Sequence, residues 1–131
     1  MASAQDECVS DGVDVSDTSS AALHIGHEER CIGGLDSADR HDWYAVDIPV
    51  TGIDTLSVRV CPLGSWDVDL FVYYSPVVGG LRGAWSSLNG VGSCETIHAS
   101  LSGIEGAQAG HWLIDVKDFS GAGSYDLTVS Y

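Results

Sequence analysis

Apolar side chains recur at every second position over several separate runs of this chain, and that period constrains the fold more than any other feature. A β-strand turns successive side chains to opposite faces, so a period of two with one apolar face describes a strand covered on one side by a core. Tyr44, Val46 and Ile48 share a face, as do Leu56, Val58 and Val60. Val68, Leu70, Val72 and Tyr74 follow, then Trp112, Ile114 and Val116, and finally Tyr125, Leu127, Val129 and Tyr131. The predicted strands span residues 42–49, 54–61, 67–75, 93–99, 110–117 and 124–131, with weaker ones at Ala21–Ile25 and Arg30–Ile32. Residues 76–92 are interrupted by Pro76, Gly79, Gly80, Gly83, Gly90 and Gly92, leaving room for one short strand around Leu81–Trp85. No helical periodicity is sustained, and no repeat recurs at a solenoid period. The fold class is all-β: an antiparallel β-sandwich of jelly-roll type with about eight strands.

At 131 residues the chain suffices for one domain with a real core. No apolar run approaches the ~20 residues of a membrane-spanning helix. The 16 glycines against 3 prolines suit tight turns rather than a Pro-rich linker. Charge excludes one class of partner. Five basic against nineteen acidic residues give −14, a field that repels a phosphate backbone, so nucleic acid is not expected. A solvated acidic coat accounts for much of this charge. Carboxylates bunched in loops, where a hard cation or a basic partner would find them, are what the coat explains least.

Cys8, Cys31, Cys61 and Cys94 are even in number, widely spaced and free of any C-x-x-C, which argues against a redox or zinc-knuckle motif. Three pairings are open. Cys61 closes one predicted strand and Cys94 opens another, while Cys8 and Cys31 share the N-terminal region; these positions favour 8–31 and 61–94. Paired cysteines imply an oxidising compartment, secreted or cell-surface. A charged n-region and an apolar h-region are both missing from the first residues, yet Ala2-Ser3-Ala4 has the small-x-small form of a signal-peptidase site and polar Gln5-Asp6-Glu7 follows it. That pattern is the expectation for a mature secreted chain.

Read in order, the motifs carry a resemblance. Asp14-Val15-Ser16-Asp17 precedes Ala21-Ala22 and Cys31-Ile32-Gly33-Gly34-Leu35; next come Asp39-x-x-Asp42-Trp43-Tyr44, Asp67-Val68-Asp69-Leu70 and Glu95-Thr96-Ile97. Gly110-His111-Trp112-Leu113-Ile114-Asp115-Val116, a Ser120-Gly121-Ala122-Gly123 turn and Tyr125-Asp126-Leu127 complete the series. Over roughly residues 14–131 this resembles the bacterial pre-peptidase C-terminal domain, leaving residues 1–13 as an acidic N-terminal segment. The resemblance implies a β-sandwich that accompanies secreted proteases and other exported proteins, and that is related to the collagen-binding domains of clostridial collagenases. It also implies a calcium site. In the collagen-binding relatives a Glu-x-Asn-Asp-like segment and a later Asp-x-x-Asp hold the ion. Asp14 falls on the Glu, Ser16 on the Asn, Asp17 on the Asp, and Asp39 and Asp42 on the later pair. Calcium takes about six to eight oxygens, so carboxylates from two loops suit it, although the Ser16 hydroxyl is a poorer ligand than an amide carbonyl. The competing reading is that Asp17 and Asp42 cap turns through backbone N–H groups. Asp67 and Asp69 form a second acidic pair, whose expected role is to fix the adjacent loop rather than to bind metal.

Catalytic patterns are weak. His24-x-x-His27 with Cys31 offers zinc ligands, but that spacing suits a helix rather than a strand and turn. No G-x-S-x-G elbow is present, and nothing selects a Ser-His-Asp set. The chain is not expected to be an enzyme. Trp43, Phe71 and Tyr73 fall on the outward faces of their strands, while Trp66 and Trp85 lie in loop-like or uncertain stretches. An outward aromatic strip suits recognition of an extracellular polymer or protein; the competing reading is ordinary packing beneath a second layer. The expected function is that of a secreted, non-catalytic accessory or binding module, calcium-stabilised, acting beside an enzyme domain or on a polymer. The alternative is a structural subunit of a surface layer or filament, self-associating through edge strands.

Overall fold

The computed structural model describes residues 22–25, 30–36, 40–48, 55–76, 83–100 and 110–130. Among these are nine strands: β1 (Leu23–His24), β2 (Arg30–Leu35), β3 (His41–Ile48), β4 (Thr55–Leu63), β5 (Asp67–Pro76), β6 (Gly83–Ser87), β7 (Glu95–Ser100), β8 (Gly110–Ser120) and β9 (Gly123–Ser130). They form a five-stranded sheet, β1-β3-β8-β5-β6, and a four-stranded sheet, β2-β9-β4-β7. Only the two-residue β1 pairs parallel, with β3; every other pair is antiparallel. Without β1, the orders β3-β8-β5-β6 and β2-β9-β4-β7 are those of an eight-stranded jelly roll. The short predicted strand near Leu81–Trp85 is β6, shifted by two residues. Among the described residues no helix is long and apolar enough to cross a membrane.

The predicted inward faces meet between the sheets. Tyr44 and Val46, Leu56 to Val60, Val68 to Tyr74, Trp112 to Val116, and Tyr125 to Val129 bury their alternate side chains in one core. Trp66 joins them at 3% exposure, its Nε1 donating to the Ser124 carbonyl at 3.0 Å. Reading it from sequence as a loop residue understated this ring. Gly121, in the β8–β9 turn at φ 92°, accommodates it: a Cβ there would lie 2.8 Å from the Trp66 Cβ.

Cys61 and Cys94 continue the β4–β7 ladder one step beyond the Val60–Glu95 pair and are disulfide-bonded, with Cα atoms 4.1 Å apart. Cys31 is also disulfide-bonded, and its predicted partner Cys8 lies outside the described residues.

Asp42 was expected among the loop carboxylates of a calcium site, or as a turn cap. It shares the inward face of β3 and is fully buried, accepting a 2.6 Å hydrogen bond from the Tyr125 hydroxyl. That hydroxyl also lies 2.5 Å from the Tyr44 hydroxyl. Burial, reinforced by Tyr44 and Asp42, holds the Tyr125 phenol well above its ordinary pKa, so it stays a donor. Across β2, Gly33 pairs with Tyr125, and a Cβ on Gly33 would collide with the phenol ring. Because the ring is pinned at its hydroxyl, it cannot swing aside. Gly33→Ala is therefore expected to destabilise by about 1–3 kcal/mol, as overpacked cores do. Tyr125→Phe, which removes the donor to a buried carboxylate, is expected to cost about 2 kcal/mol. Urea unfolding of each variant checks both values.

Candidate binding face and acidic rim

Odd-numbered residues of β3, β5 and β8 point away from the core, and the strand register sorts them into rows across the outer face of the five-stranded sheet. His41, Lys117 and Asp69 make one row; Trp43, Asp115 and Phe71 the next; then Leu113 beside Tyr73; then Asp47 beside His111. This face carries the three aromatics predicted to bind. Trp43 and Tyr73 reach diagonally over β8, with ring centroids 5.9 Å apart and planes inclined by 31°. Phe71 stands in the same row as Trp43, and all three are half-buried rather than freely exposed. Trp85, by contrast, packs on the buried Trp112 at 5.5 Å.

Sequence reasoning missed what anchors this face. Asp115 lies between Trp43 and Phe71 with its side chain only 5% exposed, and His41 Nδ1 bridges both its oxygens at 3.0 and 3.1 Å. Burial raises the Asp115 pKa, opposed by the His41 hydrogen bond and the His41 and Lys117 charges. Burial, with the Asp115 charge, also raises Tyr73. The available signal was an aspartate in the outward register of a strand whose other face is all core. At the far end His24 and His111 both place Nδ1 on one oxygen of Asp47, at 3.1 and 3.0 Å. His24 thus turns to Asp47 and His111, while Cys31 is taken up by a disulfide; His27 lies outside the described residues.

A second group lies at the acidic end. Asp67 and Asp69 open β5, with a bulge between Asp67 and Val68, and Glu95 opens β7 in the other sheet. All three are buried, and one oxygen of each lies within 4.8 Å of the others. Glu95 could have been noticed because it occupies the inward register of Glu95, Ile97 and Ala99. Of the predicted calcium ligands, only Asp42 is described; Asp14, Ser16, Asp17 and Asp39 lie outside the described residues. On the outer face of the four-stranded sheet, Ser57 Oγ lies 2.9 Å from His98 Nδ1 in a groove also lined by Arg59, Thr96 and Thr128. Among the described residues no carboxylate orients that imidazole.

The sandwich aligns with the 1.0 Å crystal structure of the pre-peptidase C-terminal domain of a collagenase from Bacillus anthracis. The TM-score is 0.60 at 16% identity, covering 82% of this chain and 92% of that one. The chain has the pre-peptidase C-terminal fold. No family model matches the sequence, and no curated protein does. The fold that motif order implied is thus present in the tertiary structure, with the aromatic face on its five-stranded sheet and the acidic end drawn from both sheets.

Carboxylates held above their ordinary pKa make this pre-peptidase C-terminal fold sensitive to pH. Burial, then the Asp67 and Glu95 charges, push Asp69 from 3.8 up to about 6, against the pull of Lys117. Burial raises Asp115 and Asp118 as well. The native state therefore binds more protons than the unfolded chain between pH 3.8 and about 6, and stability falls as pH rises through that window. Thermal melts in chelator are expected to give a lower midpoint at pH 7 than at pH 5. Asp69→Asn is expected to flatten the difference.

Proposed function

We propose that this chain is a secreted, non-catalytic accessory or binding module that engages an extracellular polymer or protein through the Trp43–Tyr73 face, beside a neighbouring enzyme domain. The observation that carries this reading is the pair of half-buried rings meeting over β8 with Asp115 and His41 beneath and beside them. Aromatic rings held by their own sheet present apolar area with little conformational entropy left to lose, and flanking polar groups orient a ligand. Hydroxyl-rich sugars and extended polypeptides both suit such a platform. Two further observations support the setting. A solved neighbour of the same fold is a domain of a collagenase, and the Cys61–Cys94 disulfide belongs to an oxidising compartment.

Screening the protein against insoluble polysaccharides, collagen and other extracellular polymers identifies the ligand, and variants of the face test the site. Trp43→Ala and Tyr73→Ala are each expected to weaken binding by ~2 kcal/mol, roughly 30-fold, with little effect on folding because both rings are half-exposed. Folded variants that bind as tightly as the wild type would place recognition elsewhere. A subunit of a surface layer or filament would instead assemble, and size-exclusion chromatography with and without calcium separates that outcome.

Calcium is part of the same reading, held by Asp14, Ser16, Asp17 and Asp39 with Asp42 at the start of β3. The motif match and the acidic charge support it. At a calcium concentration a hundredfold above the dissociation constant, linkage adds about 2.7 kcal/mol of stability. Melting in millimolar calcium is expected to exceed melting in chelator, and an Asp17→Ala, Asp39→Ala double variant to lose much of that gain. An unchanged gain would remove these ligands from the reading.

A further inference from the structure

We propose that Asp67, Asp69 and Glu95 form a second cation site, made of residues other than the Asp14–Asp42 set, that takes a hard divalent ion of calcium's size and ties the two sheets together. Glu95 is fully buried and the two aspartates are each 7% exposed, so water does not screen them from one another. Their converging oxygens lie within 4.8 Å of each other. Oxygens on opposite sides of a calcium ion are about 4.6–5.2 Å apart, so carboxylates this close can share one ion.

Convergence alone would be only an acidic cluster; the hydrogen bonding adds an independent sign. Glu95 Oε1 accepts from Ser87 Oγ at 2.6 Å and from the Asn89 backbone N–H at 2.9 Å. Among the described residues its Oε2 is buried with no hydrogen-bond partner, and so is Oδ1 of Asp67. A carboxylate with one oxygen fixed by donors and the other buried and empty-handed is arranged as metal ligands are, the outer contacts aiming the inner atom. Among the described residues, protein charge offsets this cluster only in part. Among the described residues Lys117, cross-strand from Asp69, attracts the charge on Asp69, while Asp118 on the same strand, itself opposed by Arg40, adds a buried negative charge beside Asp67. Buried charges are paired or coordinate metals, and here one lysine faces several carboxylates.

The site draws ligands from both layers, Asp67 and Asp69 from the five-stranded sheet and Glu95 from the four-stranded one. An ion there would act as a clasp at the end where the turn after β6 crosses, the turn whose Gly92 N–H bonds the Trp66 carbonyl.

Isothermal titration of the chelator-stripped chain with calcium chloride, and with magnesium chloride in parallel, tests the proposal. Glu95→Gln keeps an acceptor for Ser87 and Asn89 while removing the charge, and Asp69→Asn is nearly isosteric. Each is expected to bind one calcium ion fewer than the wild type, whereas the Asp17→Ala, Asp39→Ala variant retains that ion. In chelator Glu95→Gln is expected to melt above the wild type, having lost a buried charge, and in calcium the order reverses. A wild-type measurement stands independently of any variant: the Asn89 amide resonance, whose N–H donates to Glu95, should shift saturably as calcium is added. An Asn89 signal indifferent to calcium, or undiminished ion stoichiometry in both single variants, overturns the site and leaves the cluster as carboxyls that share protons.

Discussion

Tyr125 joins the two layers of this sandwich, and much of the surrounding sequence is arranged to let it do so. Its ring lies against Gly33 within the four-stranded sheet, while its hydroxyl crosses to Asp42 and Tyr44 on the five-stranded sheet. A phenol is suited to this task because its apolar body fills the core and its tip still requires a partner. The buried carboxylate of Asp42 in turn requires a donor. The phenol donates to one oxygen of that carboxylate, and the pairing fixes how the sheets face one another more specifically than aliphatic packing would. The glycine follows as a steric consequence of where that ring must sit.

The same alternation that builds the core also exports a second pattern. Along β8, Trp112, Ile114 and Val116 face inward while His111, Leu113, Asp115 and Lys117 face out. On this outer face the cross-strand neighbours from β3 and β5 complete the rows, so rings, imidazoles and carboxylates far apart in the chain come to lie side by side. A strand therefore carries two messages at a spacing of one residue. The inner one stabilises, and the outer one is available to a ligand.

Acidic residues in this protein divide by environment rather than by number. Asp47 and Asp126 sit near solvent against histidine or arginine partners, and such exposed pairs contribute little to stability. Asp69, Asp115 and Asp118 are buried and pushed upward in pKa, which makes their ionised forms a liability near neutral pH. For Asp115 the liability is offset by His41. At Asp69 it is compounded by Asp67 and Glu95, and this asymmetry singles out the acidic end of the molecule.

The sequence by itself determined the class of the fold, because a period of two is a local property that each strand displays without its neighbours. It likewise assigned the inward faces, and the places of Cys61 at the end of one predicted strand and Cys94 at the start of another favoured the pairing that β4 and β7 make in the sheet. The aromatic trio was legible too, since facing outward follows from the same period. Tertiary structure alone decided that Trp43 meets Tyr73 across β8, that His41 grips Asp115, and that Glu95 joins Asp67 and Asp69 from the opposite sheet. Trp66 lies between β4 and β5 as expected of a loop residue, but its burial was not legible because it depends on a turn from β8 to β9, distant in sequence, whose glycines leave space for an indole. Periodicity states which way a side chain points. What it points at is set by sheet order and register, which are contacts between strands and leave no local trace.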